Sequence, residues 1–168
     1  MGVHEHKKEA PASVNCAVIT VSDTRTEETD KSGKLMKSLL EDSGHQIGFY
    51  AIVKDDKDTI TSAFLEAAES PNVQAVLING GTGIAKRDIT IETIFPYFEK
   101  EIVGFGELFR MVSYLEDIGS AAIMSRASAG TYNNKAVFVT PGSSGAVRTA
   151  MEKLILKELG HVVRELNK

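Results

Sequence analysis

Gly80-Gly81-Thr82-Gly83 is the segment most suited to chemistry. Glycines at that density let the backbone take positive φ and approach a ligand closely, with N–H groups able to cradle a phosphate. Read alone, the same turn is equally a tight strand-to-helix connection. It lacks the third glycine of a dinucleotide fingerprint, and Lys86 is wrongly placed for a P-loop, with no Ser or Thr behind it. Lys86-Arg87-Asp88 follows directly. Two cations beside a carboxylate suit a polyphosphate and its metal: Lys86 or Arg87 on phosphate oxygens, Asp88 on Mg²⁺. Alone, such a triplet is a solvated loop with an ion pair. Pro141-Gly142-Ser143 leads into a helical pattern whose first N–H groups form an anion site or are simply capped. Ser125-Arg126 closes a short apolar run, where Arg126 could clamp an anion or bridge subunits.

These segments need elements to position them. Asn15–Val21, 48–53 and 73–78 are β-rich apolar runs, and helical stripes at Leu35, Met36, Leu39, Leu40 and at Ile60, Ala63, Phe64, Ala67, Ala68 separate them. Gly44 and Pro71 end those helices. A fourth strand is expected at 136–140, with a closing helix after it. The resulting β-α-β-α-β order predicts a three-layer α/β/α sandwich with a mostly parallel sheet. Between the third and fourth strands lies an excursion far too long for one crossover. It contains a helical segment broken at Pro96, an apolar stripe at Phe105, Leu108, Phe109 and Val112, and a possible extra strand at 127–132. The stripe predicts self-association through residues 102–132. Parallel strands bring their following loops to one edge: Ser22-Asp23-Thr24, Lys54-Asp55-Asp56, the glycine turn and Pro141-Gly142-Ser143. That convergence suggests an anionic ligand with a divalent cation, although Asp23 alone reads as a turn residue and Asp55-Asp56 as helix-start charges.

Composition bounds the alternatives. The chain has 168 residues, 42% hydrophobic and 25% charged, which fits one globular domain at 14–168 after a flexible tail at 1–13. With 19 Lys plus Arg against 23 Asp plus Glu, the formal charge is −4, which argues against nucleic acid as a partner. A single cysteine, Cys16, excludes an internal disulfide, and its apolar strand marks it as an inert core residue. None of His4, His6, His45 and His161 has metal-binding spacing in sequence. No apolar run is long enough for a membrane span, and the N-terminus lacks the apolar region of a signal peptide, so the expected location is cytoplasmic.

Taken together, Thr20-Val21-Ser22-Asp23-Thr24, Asp30-Lys31-Ser32-Gly33, the run from Gly80 to Asp88, Gly104-Phe105-Gly106-Glu107, Ser125-Arg126 and Pro141-Gly142-Ser143 stand in an order that resembles the MoaB/MogA family of molybdenum cofactor biosynthesis proteins. The resemblance is nearest to the MoaB branch: Ser144 and Ile91 stand where the other branch tends to have proline. It implies a molybdopterin-binding fold and an adenylyltransferase that uses molybdopterin, ATP and Mg²⁺, releasing pyrophosphate. Asp55 and Asp88 match the aspartates that matter for activity in the family. The remaining loop residues, Ser22, Asp23, Gly80, Gly81, Thr82, Gly83, Lys86, Arg87, Ser125, Arg126, Pro141, Gly142 and Ser143, would then bind substrate and phosphate, and Asp55 and Asp88 the metal. A homotrimer or a dimer of trimers is implied as well. The alternative of another class is a non-catalytic molybdopterin-binding or scaffold protein.

Overall fold

In the computed structural model, which describes residues 2–168, the strands are β1 (Asn15–Val21), β2 (Gln46–Val53), β3 (Ala75–Asn79), β4 (Lys100–Glu101), β5 (Ser128–Tyr132) and β6 (Lys135–Thr140). They form one sheet in the order β2-β1-β3-β6-β5-β4. The first four of these run parallel, and β5 and β4 add an antiparallel margin. The mostly parallel α/β architecture is the expected one. Asn133 and Asn134, at φ 50° and 58°, make the two-residue hairpin turn between β5 and β6.

The central strands are apolar without alternation because both faces are covered. Cys16 and Val18 of β1 face one core, with α2 (Lys31–Asp42), α5 (Val103–Glu116), α6 (Ser144–Ala150) and α7 (Leu156–Leu166). Ala17, Ile19 and Val21 face the other, with α3 (Lys57–Glu69) and α4 (Thr90–Ile94). On α3 the buried residues are Ile60, Ala63, Phe64, Ala67 and Ala68, the expected stripe. Phe64 is fully buried with Tyr97 and Tyr132 rings 5.4 and 5.3 Å away, so its truncation to Ala costs about 3–5 kcal/mol. Gly44, at φ 87°, ends α2, and Pro96 turns the end of α4 into a 3₁₀ turn over Phe95–Tyr97. Burial pushes the Cys16 thiol up to about 12, consistent with an inert core thiol.

Of the expected flexible tail at 1–13, Met1 lies outside the described residues, and the rest holds a helix. Val3–Lys8 forms helix α1, which lies on α7. Lys7 pairs with Glu158 and Arg164 with Glu9, and the Pro11 carbonyl packs against Gly160, where an added Cβ would come within 2.7 Å. Lys7 and Glu9, two of the charges that make the segment look solvated, have their partners on a helix from the other end of the chain.

Candidate functional site

The chain reverses its winding at β1: α2 leads outward to β2, and α3 leads back to β3. The loops after β1 and β3 therefore diverge, and a crevice opens between them, where open parallel sheets bind ligands. A cleft of about 530 Å³ occupies this position. It is lined by Val21-Ser22, Gly80-Gly81-Thr82-Gly83 and Pro141-Gly142-Ser143 from three strand ends, by Asp55, Asp88 and Arg25, and by the far end of α5 with Ser125 and Arg126 beyond it.

The glycine loop could carry no side chain in its first two positions. Gly80 and Gly81 have φ of 101° and 66°. A Cβ on Gly80 would stand 2.2 Å from the Val21 carbonyl oxygen, and one on Gly81 would stand 2.2 Å from Thr90 Oγ1 and 2.8 Å from Asp55 Oδ1. The Gly80 N–H donates to the Thr140 carbonyl at 3.0 Å, whereas those of Gly81, Thr82 and Gly83 meet no protein acceptor among the described residues. Such a run of free amides can cradle an anion.

Two carboxylates border it. Asp88 Oδ2 accepts from the Ala85 N–H at 3.1 Å and lies over Gly83. Asp55 faces Gly81, and its N–H donates to Asp23 Oδ1 at 3.1 Å. Burial raises the Asp55 carboxyl above the usual aspartate value, and the nearby Asp88 charge raises it further. The ion pairs at this edge are Arg25–Asp30, Arg87–Asp23 and Arg126–Glu92; among the described residues Asp55 and Asp88 belong to none. The buried Thr90 hydroxyl beside them has no partner. Mutually repelling oxygen donors outside any ion pair, next to an orphaned hydroxyl, fit a hard divalent cation such as Mg²⁺.

Arg126 is placed differently from an anion clamp. Its Nε donates to the Thr82 carbonyl at 2.9 Å and its Nη2 to the Gly83 carbonyl at 2.8 Å, while Glu92 takes the fork edge at 2.6 and 2.9 Å. The Glu92 hydrogen bond holds the Arg126 guanidinium above its ordinary value. Arg126 thus braces the glycine loop against α4. Lys86 and Arg87 stand exposed outside the cleft, because Ile84 to Arg87 swing outward while Asp88 turns back through its bond to Ala85. Arg87 pairs with Asp23, which borders an adjoining hollow instead of the main cleft. Ser143 Oγ caps α6 by accepting from the Ala146 N–H at 3.2 Å.

Below the cleft lies a buried polar network. Asp30 caps α2 through the Gly33 N–H at 3.0 Å and also accepts from Thr20 at 2.8 Å and from Tyr50. Ser32 donates to Asn79 Oδ1 at 2.9 Å, and Asn79 Nδ2 donates to Thr20 Oγ1 at 3.0 Å. Burial pushes the Asp30 carboxyl up, but hydrogen bonds from Tyr50, Thr20 and Gly33, with Arg25 nearby, bring it below the usual value. The network ties the ends of β1, β2 and β3 to the start of α2, so the loops above them stand on a rigid base.

The match to known proteins agrees with this geometry. Residues 17–161 match the family described as a probable molybdopterin binding domain. The chain belongs to the MoaB/MogA family of molybdenum cofactor biosynthesis proteins. Molybdenum cofactor biosynthesis protein B of Bacillus subtilis (strain 168) is 65% identical over 168 residues, covering 100% of this chain and 99% of that protein. A crystal structure of a molybdenum cofactor biosynthesis protein B superposes with a TM-score of 0.92 at 60% identity, covering 95% of this chain and 99% of that one. The tungsten cofactor synthesizing protein MoaB of Pyrococcus furiosus superposes with a TM-score of 0.84 at 40% identity, over 95% of this chain and 100% of that one. The cleft of this family member is also lined by residues the sequence did not single out, Arg25 and, one turn apart at the end of α5, Ser113 and Asp117, with the buried Thr90 hydroxyl behind the glycine loop. The only linear signal for Ser113 and Asp117 is a polar residue interrupting the far end of an apolar helix.

Proposed function

We propose that this protein binds molybdopterin in the cleft and adenylylates it with ATP in the cytoplasm, giving adenylyl-molybdopterin and pyrophosphate. The observation that carries this reading is the meeting at one crevice of the free amides of Gly81, Thr82 and Gly83 with the Asp55 and Asp88 carboxylates, which repel each other and belong to no ion pair among the described residues. An oxygen of the molybdopterin terminal phosphate attacks the α-phosphorus of ATP. The bond from that phosphorus to the oxygen bridging the β-phosphate breaks, and its electron pair leaves with pyrophosphate. No protein nucleophile is needed, so the residues act by positioning and by balancing charge. Asp55 and Asp88 would hold Mg²⁺, which when bound neutralises charge on the phosphate oxygens. The loop amides donate to one phosphate, Arg126 keeps the loop in shape, and Lys86 and Arg87 on the rim attract the anions.

The catalytic unit in this proposal is a trimer or a dimer of trimers. Its support is the outward face of α5, where Leu108, Met111, Tyr114 and Leu115 are each more than half exposed beside the cleft.

One observation favours binding without catalysis: Arg25 and Arg126, the arginines that line the cleft, are already engaged by Asp30 and Ser32 and by Glu92 and the loop carbonyls. Purified protein incubated with molybdopterin, ATP and Mg²⁺ separates the readings. Formation of adenylyl-molybdopterin with stoichiometric pyrophosphate is the expected result. Molybdopterin binding without product would favour the scaffold, and absence of both would overturn the assignment of the cleft.

A further inference from the structure

At the opposite end of the sheet from the cleft, α1 and α7 bring together His6, His161 and Glu165. One donor atom from each lies within 4.8 Å of the other two. His6 Nδ1 is 3.4 Å from Glu165 Oε1, and His161 Nε2 is 3.8 Å from the same oxygen. Tetrahedral zinc with bonds of 2.0–2.1 Å holds its donors ~3.3 Å apart, so only small side-chain adjustments are required. The second ring nitrogen of His161 has its own partner: Nδ1 is 3.1 Å from Glu158 Oε2. A carboxylate on the far nitrogen directs the proton there and leaves Nε2 as a lone-pair donor, the usual outer support of a metal-bound imidazole. His161 and Glu165 are four residues apart on α7, on one face of the helix.

We propose that His6, His161 and Glu165 form a zinc-class metal site that clasps the N-terminal helix to the C-terminal one. Two imidazole nitrogens and one carboxylate oxygen, with water completing the shell, select zinc or a similar borderline ion over Mg²⁺. The ion would compete with cations already at Glu165, since Arg164 lies 2.8 Å from Oε1 and Lys168 2.7 Å from Oε2. If displaced, Arg164 retains Glu9 and Lys168, half exposed, is left to solvent. The pairs Lys7–Glu158 and Arg164–Glu9 dock α1 without metal, so the site is present in the folded apo chain. This inference is independent of the reaction proposed for the cleft.

The test uses the full chain without an affinity tag, stripped with chelator, and Zn²⁺ as the titrant in calorimetry, with Co²⁺ as a spectroscopic substitute. We expect one Zn²⁺ per chain, visible Co²⁺ ligand-field bands, and slower amide exchange over residues 3–9 when Zn²⁺ is bound. His6→Ala and His161→Ala should each weaken Zn²⁺ by about tenfold or more, and Glu158→Gln by a similar factor through loss of the outer support. His4→Ala and His45→Ala should leave affinity within twofold. Circular dichroism confirms that each variant is folded, and the exchange measurement on wild-type protein stands even if a variant is not. Zn²⁺ affinity unchanged in both His6→Ala and His161→Ala, equal loss in His4→Ala, or no protection over residues 3–9 would each overturn the site.

Discussion

Asp30 and Asp55 are aspartates at the same end of one sheet, each just ahead of a helix, yet their surroundings are opposite. Asp30 is fully buried, and Tyr50, Thr20 and the Gly33 amide bring its carboxyl below the ordinary value despite burial. Asp55 is half-buried without a cation, and burial and Asp88 hold its carboxyl above that value. In the first region every polar group is answered from within the protein, which makes a rigid base. In the second, oxygen donors are left facing space, which raises the folding cost and leaves the donors available to a ligand. Satisfaction from within separates the supporting carboxylate from those left open to a ligand, although both belong to similar acidic loop segments.

The sharpest way to break this contrast is Asp88→Asn. Turnover in the adenylylation assay should fall roughly 10²-fold, because a charge aimed at the transition state is lost. Molybdopterin affinity should hold within about threefold, and the melting temperature should barely move. An unchanged rate in a folded variant would remove Asp88 from the chemistry.

Asp30→Asn should do the reverse. It leaves a buried donor set with a poorer acceptor, and urea unfolding should show a loss of about 1–3 kcal/mol. Since the folded-state carboxyl lies below 3.8, the wild-type advantage is fully present above that pH and is lost as pH falls through the folded value. A difference that persists unchanged to strongly acidic pH would mean that the charge is not what stabilises the network.

On the α5 face, Leu115→Asp should shift the sedimentation mass toward a single chain at micromolar concentration while the fold is kept. An unaltered mass would move any subunit contact off this face. A smaller effect on stability is expected for Asp55→Asn. Removing a desolvated, repelled charge should raise stability at neutral pH by less than about 1 kcal/mol. Because the folded-state carboxyl lies above 3.8, this gain should be absent below that pH, where wild-type Asp55 is protonated, and should grow as pH rises through the folded value. Turnover should drop at the same time; a loss of stability instead would place Asp55 with the supporting network.

Much of the fold was legible because its signals are local. The unbroken apolar runs of β1, β3 and β6 mark strands covered on both faces, and the stripe from Ile60 to Ala68 marks a helix. Strand β4 is two residues long and exposed, too short to leave a pattern in sequence. Parallel order then carries the loops of Ser22, Asp55, Gly80 and Pro141 to one edge without further information. Their residue types already named a phosphate and a cation as the ligands to consider.

What sequence alone determined, then, was which segments form elements and which loops share an edge, because periodicity and strand order follow from backbone geometry. Tertiary structure decided which way each side chain turns. Lys86 and Arg87 look like phosphate ligands in a linear triplet, but the chain swings outward after Gly83 and leaves them on the rim. Arg126 looks like an anion clamp, but its guanidinium meets Thr82, Gly83 and Glu92 first. His161 and Glu165 share a face of α7 by their spacing, but His6 reaches them only through the charge pairs between α1 and α7. Contacts between residues distant in sequence depend on packing, and no local pattern encodes them.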